Sequence, residues 1–351
     1  MNVCSQLRQV LRGSATGASS DVTLAAPGTT PPAAGFARFT RELPERPEGE
    51  EGLASARLCR RLGDDGLAEI ERSVEADPNG AAHLQIATSE VVRRHVLLSF
   101  AIWLGLPGVA EATGLGAVQP PEDVHAMARG PLAAAGGLYE ADMMVDALAR
   151  AGVHPAEGAR WLDFGCSSGR VVRVLAAAYP EIGWSGCDPN ERAIAWATGN
   201  LPGIDFFVGP QRPPLPFEDG ALDLVYAISI WSHFASQTGL LWLAEMRRAI
   251  RPGGHLVITT HGLTSLARDA RLQLRSPAQL EEIADALYRQ GWWYAPEFGD
   301  SGDWGVVDPD WGTAVLAPEW LLAQLCPGWR VVEFAPGRNQ ENQDLWVLQR
   351  P

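Results

Sequence analysis

The chain has 351 residues and a mass of 37.8 kDa, enough for one domain of enzyme size plus an appendage. Hydrophobic residues make up 46% and charged residues 20%, the profile of a soluble globular protein. The net charge of -14 gives a surface that repels phosphate backbones, so no nucleic-acid partner is expected. The five cysteines are scattered and never form a C-x-x-C pair. That pattern fits free thiols in a reducing cytoplasm and speaks against a disulfide framework or zinc ribbon. Residues 1–13 lack the apolar run of a signal peptide. The most apolar stretch, Val96 to Leu106, is about half of the ~20 residues a membrane crossing needs, so it reads as a buried helix. The expectation is a cytoplasmic protein with no membrane partner.

In chain order, residues 13–56 are rich in Gly, Ser, Thr, Ala, Pro and Glu. Too few large apolar residues are present to offset the entropy of ordering, so residues 1–57 are read as a disordered N-terminal segment. Residues 58–155 read as a helical cap region: Leu67, Ile70 and Val74 recur at helical spacing, and Thr88 to Leu106 continues the pattern. Pro120-Pro121 interrupts it, and Tyr139 to Ala151 reads as a further helix ending near Gly152. From Arg160 the texture changes to short apolar runs alternating with helices. Strands are predicted at Trp161–Phe164, Gly183–Cys187, Asp205–Val208, Leu222–Ser229 and His255–Thr260, with helices at Val171–Ala178, Glu191–Asn200 and Leu240–Ile250. Arg251 to Gly254 reads as a turn. An insertion of residues 263–317 follows, with one clear helix started by Ser276, Pro277 and Gln279 and stopped by Gly291. Trp329–Phe334 and Asp344–Leu348 are the last two strands. The alternation implies a doubly wound, mostly parallel α/β sheet over residues 156–351.

Two features carry chemistry. Asp163-Phe164-Gly165-Cys166-Ser167-Ser168-Gly169 follows a strand and opens a helix. Glycines there allow a tight turn and close approach of a ligand to the backbone, at the strand end where α/β sheets bind cofactors. The spacing is neither the G-x-G-x-x-G of a nicotinamide dehydrogenase nor a phosphate-binding P-loop. Asp188, at the end of the second strand, suits a carboxylate that accepts both hydroxyls of a ribose; it also suits a cap for the helix that follows Asp188-Pro189-Asn190.

At these residues the chain resembles the class I S-adenosylmethionine-dependent methyltransferases. Asp163 to Gly169 resembles the family's first motif, D-x-G-x-G-x-G, with Ser167 in place of the middle glycine. Asp188 matches the ribose-binding acid. Leu215 to Gly220 with Leu222 to Val225 is similar to the approach to the fourth strand, and Arg251 to Gly254 to the turn before the fifth. The acid that often meets the adenine amine is not evident, since Gly209-Pro210-Gln211 stands there. The resemblance implies a Rossmann-like seven-stranded sheet and S-adenosyl-L-methionine as cofactor. It implies cofactor contacts from Asp163, Gly165, Cys166, Ser167, Gly169, Asp188, Pro189, Gln211, Ile228 and Ser229.

Within the family, a subgroup acting on sugars and other small metabolites is similar at Ser229-Ile230-Trp231-Ser232-His233-Phe234, at Thr260-His261-Gly262 and at Gln343-Asp344. The implied activity is methyl transfer (EC 2.1.1.-) to a small molecule, with O-methylation of a sugar, glycoside or secondary metabolite foremost. A protein or lipid acceptor, and a non-catalytic binding module on the same fold, are the rival readings. An oxygen acceptor must lose a proton, and histidine suits that task near neutral pH, so His233 and His261 are the candidate catalytic residues. The aromatic stretch 291–312 reads either as a lid over a substrate ring or as packing against the core. No cluster of His, Asp and Glu has metal-ligand spacing, and the oligomeric state is left open.

Overall fold

The computed structural model describes residues 52–87, 89–121, 124, 130–298, 302–303 and 307–351. The expected disordered segment therefore lies almost wholly outside the described residues. The first described helix, α1 (Ala54–Ala76), starts four residues before the boundary at 58. It is followed by α2 (Pro78–Gln85), α3 (Glu90–Trp103), α4 (Val109–Thr113) and α5 (Gly130–Arg150). Ser89 starts α3 by accepting from Val92 N–H at 3.3 Å. A buried carboxylate ties three of these helices together. Asp142 on α5 accepts from the Ser55 hydroxyl at 2.5 Å and amide at 3.0 Å, and lies 2.7 Å from His95 Nε2 on α3.

The sheet comprises β1 (Arg160–Phe164), β2 (Gly183–Asp188), β3 (Ile204–Val208), β4 (Leu222–Ala227), β5 (Ile250–His261), β8 (Arg330–Asn339) and β9 (Gln343–Gln349). Their order is β3-β2-β1-β4-β5-β9-β8. The first five run parallel and β9 is antiparallel to both neighbours. This is the doubly wound arrangement read from the sequence, and the order reverses between β1 and β4, where such sheets open a crevice. The expected turn at Arg251–Gly254 lies inside β5. Ile250 pairs with Leu222 and His255 with Leu224, so four residues of β5 bulge opposite one of β4. Gly254 permits the bulge: a Cβ there would lie 2.7 Å from the Asp223 carbonyl oxygen.

Strand side chains alternate between two cores, as the period of two requires. Tyr226, Val257, Leu345 and Val347 join the helical layer with Leu58, Val96, Leu98, Met143 and Leu175. Val225, Leu256, Ile258, Trp346 and Leu348 face the opposite side, against Trp242, Leu243 and Met246 of α8 (Ser236–Ala249). The N-terminal helices thus share one core with a sheet face. Burying each such side chain contributes about 1.5–3 kcal/mol. The remaining core helices are α6 (Val172–Ala178), α7 (Glu191–Asn200) and α11 (Pro318–Leu325).

The 263–317 insertion is richer than the single helix expected. It holds α9 (Leu263–Arg271), α10 (Pro277–Gln290) and a hairpin of β6 (Trp292–Ala295) with β7 (Thr313–Leu316). The α10 cap is as read, with Ser276 and Gln279 bonding reciprocally. No helix of the described residues is long and apolar enough to cross a membrane.

Candidate active site

Beyond β1 the chain turns through Gly165 (φ 82°), Ser167 (φ 48°) and Gly169 (φ 80°) into α6. All three lie in the left-handed region, where a side chain costs about 1–3 kcal/mol. Gly165 has a second reason to lack a side chain: a Cβ would fall 2.1 Å from Ile230 Cδ1. The turn is held by main-chain bonds. Gly165 and Cys166 N–H both donate to the Cys187 carbonyl, at 2.8 and 3.0 Å. Ser167 N–H donates to Asp188 Oδ2 at 2.9 Å. Burial raises the Cys166 thiol well above its ordinary range, so this residue contributes backbone to the turn. The Ser168 hydroxyl is buried with no protein hydrogen-bond partner among the described residues.

Asp188 closes β2 beside this turn. Its Oδ1 accepts from Asn190 N–H at 2.9 Å. The helix cap proper is Asn190, whose Oδ1 accepts from Arg192 and Ala193 N–H, both at 3.1 Å. A carboxylate offers about four acceptor positions. The two main-chain bonds leave one on each oxygen, which matches a pair of vicinal hydroxyls. Burial raises the Asp188 carboxyl, while those two N–H bonds pull it back. Pro189 lies between them, half-buried. Gln211 is exposed at the rim after β3. Its neighbour Arg212 pins that loop to Thr238 (2.7 Å), Asp308 (3.0 Å) and Asp310 (2.8 Å).

Below the turn, Asp163 is buried, and burial pushes its carboxyl up to about 7 against the Tyr226 hydroxyl and Arg170. Arg170 pairs with buried Glu140 of α5. Helix α5 approaches through Gly137, where a Cβ would meet the Arg170 carbonyl at 2.6 Å. Tyr139 donates to the Arg338 carbonyl at 3.0 Å and accepts from Gln340 N–H at 3.2 Å. It is therefore a strut between α5 and the β8–β9 turn.

Across the crevice, the chain leaves β4 through Ile228 and Ser229. Ser229 has φ 61°, and its N–H donates to Thr259 Oγ1 at 2.7 Å. His233 follows, with Nδ1 2.7 Å from the Gly312 carbonyl. Its ring faces Trp311 (4.8 Å between centroids), Phe298 (5.9 Å) and His261 (6.4 Å). His261, the last residue of β5, places Nδ1 3.3 Å from the Ala314 carbonyl. Burial lowers both imidazoles, His261 to about 4. The two expected histidines thus share one pocket with the end of β4.

The insertion supplies the outer wall. Ala314 N–H donates to the Ser232 carbonyl at 2.8 Å and Gly312 N–H to that of His233 at 2.9 Å. Trp311 and Phe298 face His233; Trp311 and Trp292 also pack against one core, and Trp293 packs against another. Trp304 lies outside the described residues. Sequence reasoning missed Asp303, whose carboxylate bonds Trp311 Nε1 at 3.0 Å and whose charge reaches both Asp188 and His233. It also missed Thr259 and Asn339, and only the short Gln343-Asp344 similarity pointed to their partner Gln343. Among the described residues, no group of three or more His, Cys, Asp or Glu is placed to hold a metal ion.

Residues 162–254 match a family model described as a methyltransferase domain. A Streptomyces fradiae protein, named only as an uncharacterized 37.1 kDa protein in transposon TN4556, is 33% identical over 153 residues, 42% of each chain. A trans-aconitate 2-methyltransferase from Methylobacterium nodulans is 32% identical over 119 residues, 32% of this chain and 42% of that one. An S-adenosylmethionine-dependent methyltransferase structure from Mesorhizobium loti is 19% identical with a TM-score of 0.41, covering 60% of this chain and 99% of that one. The chain spans about two fifths of the length of these curated relatives. The stretch that matches this methyltransferase domain model, residues 162–254, runs from β1 into β5 of the doubly wound sheet.

Proposed function

We propose that the protein transfers a methyl group from S-adenosylmethionine to a hydroxyl of a small molecule, with sugars, glycosides and secondary metabolites as the acceptor class. The cofactor half of the crevice fits that group. Asp188 has one acceptor position left on each oxygen for the ribose hydroxyls, Ser168 offers a buried hydroxyl without a partner, and the glycines let the turn close tightly over Ile230, Leu201 and Phe206. When bound, the cofactor supplies a methyl group already activated on a sulfonium sulfur. The protein's main task is then alignment, which can contribute about 7–11 kcal/mol.

The observation that carries the hydroxyl reading is the setting of His233. The Gly312 carbonyl can only accept, so Nδ1 bears the ring proton and Nε2 presents its lone pair. The described residues supply no donor to Nε2. Because burial lowers this imidazole, it is neutral at pH 7 and ready to take a proton from an acceptor hydroxyl. Trp311 and Phe298 beside it give the pocket an aromatic wall suited to a small ring. The trans-aconitate name of one relative is in keeping with a small acceptor.

Calorimetric titration with S-adenosylmethionine, S-adenosylhomocysteine and, as control, NADH tests the reading. Micromolar binding of the first two alone, followed by methylation within a panel of hydroxylated acceptors, is expected. A folded protein that binds neither would instead be a binding module on a methyltransferase fold.

A further inference from the structure

Seven side chains form a directed hydrogen-bond network across the ends of β4, β5, β8 and β9. The Ser229 amide uses the Thr259 oxygen as its acceptor, so the Thr259 hydroxyl proton points onward to Gln343 Oε1 at 2.8 Å. The same Oε1 accepts from Ser229 Oγ and from Asn339 Nδ2, each at 3.0 Å. With its oxygen so engaged, Gln343 turns its amide N–H groups the other way. They face Ser232 Oγ at 3.3 Å and His261 Nε2 at 3.5 Å. Asn342 Nδ2 meets the same His261 nitrogen at 3.4 Å.

The far end of the chain fixes its sense independently. The Ala314 carbonyl cannot donate, so His261 must carry its proton on Nδ1 and offer Nε2 as an acceptor. Both ends therefore agree on one arrangement. The two histidines, alike in tautomer, differ in what meets Nε2: two amide donors at His261, and no described protein donor at His233.

We infer that Gln343 and Asn342 are positioning residues that cap His261 Nε2 and brace Ser229, so that His233 is the proton acceptor of this pocket. The inference rests on the methyl-transfer reading for its purpose, but the arrangement itself can be tested without a substrate. The other charged or titratable groups facing His261 are His233, Arg268 and Arg275, and each disfavours a cation there. Replacing the Gln343 N–H groups by a carboxylate oxygen is thus the sensitive perturbation.

The experiment uses the full chain labelled with 15N-histidine and long-range 1H–15N correlation, which reports tautomer and charge for each ring. In the unmodified protein both His233 and His261 are expected as neutral Nδ1–H forms near pH 7. Gln343→Glu keeps the acceptor for Ser229, Thr259 and Asn339, and should turn His261 cationic near the unperturbed value of about 6.5. The His233 signals should remain those of the neutral Nδ1–H form held by the Gly312 carbonyl, a tautomer that also reports an intact fold. Asn342→Asp should act in the same direction and serves if Gln343→Glu does not fold. An Nε2–H form of His261 in the unmodified protein, or a His261 that stays neutral and unshifted in whichever variant folds, would overturn the inference. Failure of the methyl-transfer reading would show separately, as no binding of S-adenosylhomocysteine with these spectra unchanged.

Discussion

The two walls of the crevice are built from different materials. On the β1–β2 side the contacts are main-chain groups: the Gly165–Gly169 turn, the N–H groups of Ser167 and Asn190, and one carboxylate. On the β4–β5 side they are side chains, namely Ser229, Thr259, Gln343, His261 and His233, closed by a hairpin from the insertion. A wall of backbone tolerates most substitutions and fails at the few positions where a Cβ cannot fit. A wall of interlocked side chains can be retuned residue by residue, which is what acceptor choice requires.

That contrast is most sharply broken at Gly165. Gly165→Val should abolish measurable S-adenosylmethionine binding, because its Cβ meets Ile230 and the backbone needs φ 82°. Overpacking and backbone strain each cost about 1–3 kcal/mol, so a fall in thermal midpoint should accompany the loss. Retained calorimetric affinity would show that the turn does not touch the cofactor.

His233→Ala should lower turnover by about 10²–10⁴-fold with cofactor affinity nearly unchanged. His261→Ala should cost clearly less turnover. Equal losses for the two, measured as initial rates on an identified acceptor, would dissolve the division of roles between them. Asp188→Ala should weaken cofactor binding by about 1–3 kcal/mol, the value of hydrogen bonds to a charged group. Unchanged affinity in the folded variant would remove the ribose assignment.

The histidines also give the side-chain wall a pH signature. His261 is lowered to about 4 in the folded chain against about 6.5 when unfolded, so between those values the unfolded chain binds the extra proton. Its contribution to stability is therefore full above about 6.5 and is lost as pH falls towards 4. Asp163, raised to about 7, has the opposite sign: its penalty grows as pH rises from about 3.9 to 7. Denaturant titrations of His261→Gln should show a smaller loss of stability on acidification than the unmodified protein, and an unchanged slope would remove His261 as its source. The smallest effect is expected at Ser167→Gly. This variant relieves a left-handed serine at the cost of a freer unfolded chain, and should leave affinity unaltered, because the serine bonds Asp188 through its N–H.

Legibility followed the same division. The turn and Asp188 stand within 26 residues of sequence, because a βαβ unit brings them together over one short helix. The hub at Gln343 lies 114 residues from Ser229, and beyond the short Gln343-Asp344 similarity nothing local marks its partners. The Arg251–Gly254 motif was visible, but whether it ends a strand or bulges within one depends on pairing with Leu222 and Leu224. The Trp-rich stretch looked uniform in sequence, yet the β6–β7 hairpin sends Trp311 to the histidines and Trp293 to α10.

The doubly wound sheet and the place of the glycine turn were legible along the chain, since strand periodicity and glycine placement act over a few residues. Long-range packing was needed to set which histidine keeps its Nε2 lone pair uncapped by a described protein donor. That choice rests on the carbonyls of Gly312 and Ala314 and the amides of Asn342 and Gln343, groups brought to the rings from 53 to 82 residues away.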